Sequence, residues 1–67
     1  MSVRRFGKML REFREAKGLT QVEVAKKAGV TQPYIAKLES GDKKNPSLAI
    51  LKRLAKALGV PVEELVE

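Results

Sequence analysis

Glycines at positions 18, 29, 41 and 59 each follow a segment whose apolar residues recur at helical spacing. Glycine takes the left-handed backbone conformation that ends a helix without a Cβ penalty, so each of these residues reads as a stop. The four stops divide the chain into five helical segments, at about residues 3–17, 21–28, 32–40, 46–58 and 61–66. The two-residue alternation of a half-buried strand is absent, and so are internal repeats and low-complexity tracts. The expectation is an all-α, compact five-helix bundle in which residues 1–67 form one domain.

Local signals refine each segment. Ser2 reads as the N-cap of the first helix, and Phe6, Met9 or Leu10, and Phe13 form its buried stripe. Gly7 sits inside that helix at a cost of about 1 kcal/mol relative to alanine, for which close packing against another helix would be a reason. Thr20-Gln21-Val22-Glu23 fits a capping box, with Leu19 and Val24 as its hydrophobic staple. In the third segment Ile35 and Leu38 point inward, and Pro33 is tolerated in the first turn; its cap is Thr31 or Gln32. Asn45 is read as the cap of the fourth helix, with Pro46 at its first position. Leu48, Leu51, Leu54, Ala55 and Leu58 are expected on its inner face and Ile50 outside. Glu63 and Glu64 suit the N-terminal dipole of a short last helix. Val60, Val62, Leu65 and Val66 carry more apolar surface than such a helix buries easily.

Composition removes several function classes. With no cysteine and no histidine, disulfides and thiolate or imidazole metal sites are excluded, and no cofactor is expected. The adjacent carboxylates Glu63 and Glu64 point to different helix faces, and no glycine-rich phosphate loop exists, so the chain does not read as an enzyme. No apolar run approaches the roughly 20 residues needed to span a bilayer, and no apolar stretch follows the basic N-terminus as in a signal peptide. A cytoplasmic address fits. Fourteen basic against eight acidic residues give a net charge of +6, which makes nucleic acid and acidic membranes the natural partners. The basic residues are not collected on one amphipathic helix, which disfavours a membrane surface.

The functional signal lies in residues 21–40, QVEVAKKAGVTQPYIAKLES, read as two short helices joined by a tight turn at Gly29. With Ile35 and Leu38 inward, the outer face of the second helix carries Gln32, Pro33, Ala36, Lys37 and Ser40, with Tyr34 at one flank. Glutamine bonds adenine N6 and N7 bidentately, lysine reaches guanine O6 or N7, and a small alanine permits close approach to a thymine methyl. The helix starts at Gln21 and at Thr31 or Gln32 can face phosphates if the two helices cross as a helix-turn-helix does.

KGLTQVEVAKKAGVTQPYIAKLESG, followed by NPSLAILKRLAKALGV, resembles the phage repressor and Cro family of Xre-type regulators along nearly the whole chain. The TQ start, Ala25, Gly29, the Ile35–Leu38 pair and the LxxLAKALGV end carry the likeness. The resemblance implies a repressor-like helix-turn-helix whose second helix lies in the DNA major groove. It places Gln32, Pro33, Tyr34 and Lys37 at base-reading or groove-facing positions, beside Ala36. Gln21 and Thr31 match backbone-contact positions, with which Ser40 is grouped, and Lys43, Lys44 and Asn45 match a loop that grips phosphate. Arg14 and Glu39 match a partly buried ion pair tying the first helix to the end of the third. The implied function is a sequence-specific transcriptional regulator of double-stranded DNA, bound as a homodimer to a palindromic operator. Apolar residues near Ile50 and in 60–66 are the candidate dimer surface. The alternative is a protein-bridging module or antitoxin of the same fold.

Overall fold

A computed structural model describes residues 3–43 and 46–65. Among them run α1 (Val3–Ala16), α2 (Gln21–Ala28), α3 (Gln32–Ser40), α4 (Leu48–Leu58) and a single 3-10 turn, Val62–Glu64. α1 packs on α3, α3 on α2, and α2 on α4, with the 3-10 turn closing against α4. The core comprises Phe6, Leu10, Val24, Ala25, Ala28, Ile35, Leu38, Leu51, Leu54, Ala55, Leu58 and Leu65.

Three helices start by one scheme. Thr20, Thr31 and Ser47 are N-caps in extended conformation, and each hydroxyl accepts the amide N–H three residues on. Thr31, not Gln32, therefore caps α3. The residues before each cap, Leu19, Val30 and Pro46, are half-buried or buried, as are Val24, Ile35 and Leu51 five residues later. These are the positions of a hydrophobic staple, which sets the angle at which the chain enters a helix. At Thr20 the box is complete. The Thr20 amide donates to Glu23 Oε1 at 2.8 Å, and the Glu23 amide donates to the Thr20 hydroxyl at 3.1 Å.

The turn between α2 and α3 follows from Gly29, whose φ of 71° and ψ of 33° are left-handed. Its amide donates to the Lys26 carbonyl at 3.3 Å and that of Val30 to the Ala25 carbonyl at 2.9 Å, the paired bonds of a Schellman motif. The chain then has only Val30 and Thr31 before α3 begins.

The C-terminal third corrects four expectations. The bundle has four α-helices among the described residues, not five, because the last segment makes only the 3-10 turn. That turn, closed by the Leu65 amide donating to the Val62 carbonyl at 2.9 Å, delivers Leu65 fully into the core. Val60 and Val62 pack against the same core, which absorbs the apolar surplus expected at the surface. α4 begins at Leu48, because the Ser47 hydroxyl caps it at the Ile50 amide and Pro46 becomes the buried residue before the cap. Leu48 then stands at the first helical position and is 60% exposed, while Ile50 packs against the core, the reverse of the burial expected from the sequence. Ser2, Asn45 and Val66 lie outside the described residues.

Gly7 has a direct structural reason. A Cβ there would collide with the Leu38 carbonyl oxygen and lie 2.6 Å from that of Glu39. Since α1 and α3 touch backbone to backbone at this point, Gly7→Ala is expected to lower the melting temperature. Overpacking costs about 1–3 kcal/mol, more than the roughly 1 kcal/mol of helix propensity gained. An unchanged or higher melting temperature would contradict that close approach.

Glu23 supplies a pH signature. The hydrogen bond from the Thr20 amide holds its carboxyl below the ordinary carboxylate pKa. A group whose folded pKa is depressed adds stability above its unfolded pKa and loses it as pH falls through the folded value. The stability gap between the native chain and Glu23→Ala should be full near neutrality and shrink below about pH 4, as thermal melts across that range would show.

Candidate nucleic-acid interface

α3 turns Ile35 and Leu38 into the core and leaves Pro33, Lys37 and Ser40 exposed, with Gln32, Tyr34 and Ala36 half-buried. Thr31, at the cap, is exposed, and its hydroxyl accepts the Tyr34 amide at 3.4 Å. The outward strip thus carries amide, methyl and ammonium groups and no carboxylate. The helix has nine residues, so its pose depends on what grips its two ends.

At the C-terminal end the grip is an ion pair. Arg14 Nε donates to Glu39 Oε2 at 2.6 Å and Arg14 Nη2 to Glu39 Oε1 at 3.1 Å. The third arm of the guanidinium, Nη1, donates to the Leu19 carbonyl at 2.8 Å. The two side chains are only 12% and 6% exposed. The hydrogen bond to Glu39 raises the Arg14 pKa above its ordinary value, against burial, which pulls it down. One arginine so ties α1, α3 and the chain entering α2 together. The other ion pair described, Arg11–Glu15 at 3.3 Å, is an exposed i,i+4 pair and adds little.

Gln21 and Gln32 continue from that pair. Gln21 Nε2 donates to Glu39 Oε1 at 3.1 Å, and Gln32 Nε2 donates to Gln21 Oε1 at 2.7 Å. The second N–H of Gln32 and its carbonyl oxygen remain outside this line. Arg11, Arg14, Gln21, Ala36, Glu39 and Ser40 surround one open depression of about 280 Å³ where α1, the start of α2 and α3 meet.

The far flank is built by the loop after α3. The Lys43 amide donates to the Lys37 carbonyl at 3.1 Å, and its ammonium lies 5.6 Å from the centre of the Tyr34 ring, within cation–π range. Ser40 Oγ donates to the Lys37 carbonyl at 3.1 Å and accepts the Asp42 amide at 3.3 Å. The single hydroxyl proton of Ser40 is therefore spent on holding this turn. Lys44 and Asn45 lie outside the described residues.

The structure brings Gln21, Gln32 and Ala36 into one cluster and Tyr34 with Lys43 into another, on either side of exposed Lys37. Three associations lay beyond sequence reasoning: the Gln21–Gln32 bond, Arg11 in the lining of the depression, and Lys43 over Tyr34. Glutamines 11 positions apart carry no sequence signal of pairing. Arg11 differs in no local respect from other lysines and arginines of α1. A second depression, of about 380 Å³, is lined by Lys27, Arg53, Lys56 and Ala57 on the α2–α4 seam. Lys27 and Lys56 occupy last helical turns, where the helix dipole favours cations. Among the described residues, no group of three or more acidic, histidine or cysteine side chains is placed to hold a metal ion.

Residues 10–65 match the helix-turn-helix family. This chain belongs to that family. Over 60 residues it is 40% identical to the immunity repressor protein of Bacillus phage phi105, a match covering 90% of this chain and 41% of that repressor. The chain likewise spans 44% of the length of an HTH-type transcriptional regulator of Bacillus subtilis, RghRB. Its fold is similar to that of the restriction-modification controller protein C.AhdI from Aeromonas hydrophila, with a TM-score of 0.89 and 40% identity, covering 94% of both chains. It is also similar to SinR, the master regulator for biofilm formation, in complex with DNA. That match has a TM-score of 0.87 and 32% identity over 92% of this chain and 98% of that one. Phage-repressor-like helix-turn-helix architecture is thus shown for nearly the whole chain.

Removing one partner of a desolvated pair strands the other charge, at a cost of several kcal/mol, about 3 for a pair at the margin of the core. Glu39→Ala should therefore lower the melting temperature far more than Glu63→Ala, which removes an exposed carboxylate from the 3-10 turn. Equal shifts in parallel thermal melts would mean that the pair does not fasten α3.

Proposed function

We propose that this chain is the sequence-specific DNA-binding domain of a transcriptional regulator, with α3 in the major groove. The observation that carries the reading is the outward strip of α3. Gln32, Pro33, Ala36 and Lys37 lie on the side opposite buried Ile35 and Leu38, on a helix held at both ends and free of carboxylates along that strip. The likeness to SinR in complex with DNA and to a phage immunity repressor supports it.

In this reading Gln32 contacts adenine through its carbonyl oxygen and remaining N–H, and Lys37 contacts guanine O6 or N7. Ala36 lets the helix approach closely enough to touch a thymine methyl, and Pro33 and Tyr34 fill the groove wall. Gln21, Thr31 and Lys43 hold the sugar-phosphate backbone, with Lys44 and Asn45 in the same loop. Ser40 contributes by shaping that loop. The net charge of +6 supplies the salt-dependent, sequence-independent part of the affinity.

A single short helix reads few base pairs, so a homodimer on a palindromic operator is part of the proposal, with half-sites one helical turn, about 34–36 Å, apart. Ile50, Val60 and Val62 are half-buried and packed against the core, which leaves a narrower apolar rim there than the sequence suggests. The large apolar side chains most exposed among the described residues are Val22, at 49%, and Leu48, at 60%. A regulator of this kind acts where the chromosome is, in the cytoplasm of a prokaryotic cell. No helix among the described residues is long and apolar enough to cross a membrane.

Selection of bound duplexes from a random pool, followed by titrations at several salt concentrations, tests the reading. Lys37→Ala and Gln32→Ala should each relax preference at one position per half-site by about 1–3 kcal/mol. Lys43→Ala should weaken all duplexes alike and reduce the salt slope by about 1. Uniform weak binding to every duplex, unaltered by changes in α3, would replace this reading by that of a bridging module.

A further inference from the structure

The side chains of Arg14, Glu39, Gln21 and Gln32 form one directed line of hydrogen bonds from α1 to the outward face of α3. Each link has a forced polarity. Arginine only donates, and an ionised carboxylate only accepts. Gln21 must therefore turn its NH2 group toward Glu39, which leaves its oxygen toward Gln32. Gln32 must then turn its own NH2 group inward, to Gln21. What Gln32 presents outward is a carbonyl oxygen and the second N–H, in one order along the groove.

We infer that Glu39 is a specificity-determining positioning residue, whose charge sets the order in which Gln32 offers acceptor and donor to a base edge and thereby selects adenine. The inference rests on the reading of α3 as the base-contacting helix. Adenine presents N6–H as donor and N7 as acceptor. An amide turned over would set N–H against N6–H and oxygen against N7. With Glu39 in place, turning Gln32 over also requires turning Gln21, which would point its oxygen at a carboxylate oxygen. A glutamine at position 39 removes that bar. With its oxygen in the Oε2 place it keeps the bond from Arg14 Nε, and its NH2 group in the Oε1 place gives up the bond from Arg14 Nη2 and donates to Gln21, so that the line runs in the opposite direction out to Gln32.

The test is the base preference of Glu39→Gln at the operator position whose preference Gln32→Ala abolishes. Duplexes carrying each of the four bases there are titrated with the native chain, Glu39→Gln, Gln21→Met and Arg14→Lys, each checked by circular dichroism to be folded at the assay temperature. The native chain should prefer adenine. Glu39→Gln should lose about tenfold of that preference, the scale of one bidentate base contact, while preference at the position read by Lys37 persists. Gln21→Met breaks the line without touching the ion pair and should relax the same position, so the idea stays testable if Glu39→Gln fails to fold. Arg14→Lys weakens the bidentate pair but keeps the carboxylate, and should retain the adenine preference. Retention of full preference by a folded Glu39→Gln or by Gln21→Met would overturn the inference, as would equal loss in Arg14→Lys. A native chain with no Gln32-dependent preference at any position would remove the reading of α3 along with it.

Discussion

A nine-residue helix with two side chains in the core does not hold its own orientation, since helices shorter than about 12–15 residues are marginal in water. α3 is held instead from α1, by the bidentate Arg14–Glu39 bond and by the backbone contact that Gly7 permits. Both act near the C-terminal end of α3, while the Thr31 cap and the Gly29 turn act at the other. Between these anchors the outer strip of Gln32, Pro33, Ala36 and Lys37 contributes no side chain to the buried core.

The same bond organises the electrostatics. Among the described residues Arg14 and Glu39 form an ion pair largely withdrawn from solvent, and each makes a further hydrogen bond, Arg14 to the Leu19 carbonyl and Glu39 from Gln21. That satisfaction is what makes a desolvated pair tolerable. Among the described residues, no buried side-chain nitrogen or oxygen lacks a partner. The surplus positive charge is carried outside, where a polyanion can use it without any cost in desolvating the core.

Where an element is governed by its own few residues, it was legible. The Thr20 capping box, the extent of α2 and the bounds of α3 follow from short-range chemistry: a hydroxyl, a carboxylate three residues on, a glycine after the last turn. Local rules do not decide the start of α4, because Asn45-Pro46 and Ser47 are both acceptable starts. The choice fell to Ser47 because Pro46 then becomes buried. Leu48 and Ile50 exchanged roles as a consequence. The last segment was read as a helix from its spacing, yet the chain needs only one turn to bring Leu65 into the core.

The candidate site divides in the same way. Which side chains of residues 32–40 face outward was set by the sequence, since Ile35 and Leu38 are its only bulky aliphatic residues and must turn inward. How those outward groups are oriented was decided by tertiary structure alone. The amide of Gln32 is aimed by Gln21, 11 positions away, and Gln21 by Glu39, 18 positions away. Those atoms meet only because α2 and α3 cross at one angle and α1 supplies the arginine beneath them. No local propensity encodes that meeting, because it depends on where three separate helices come to rest.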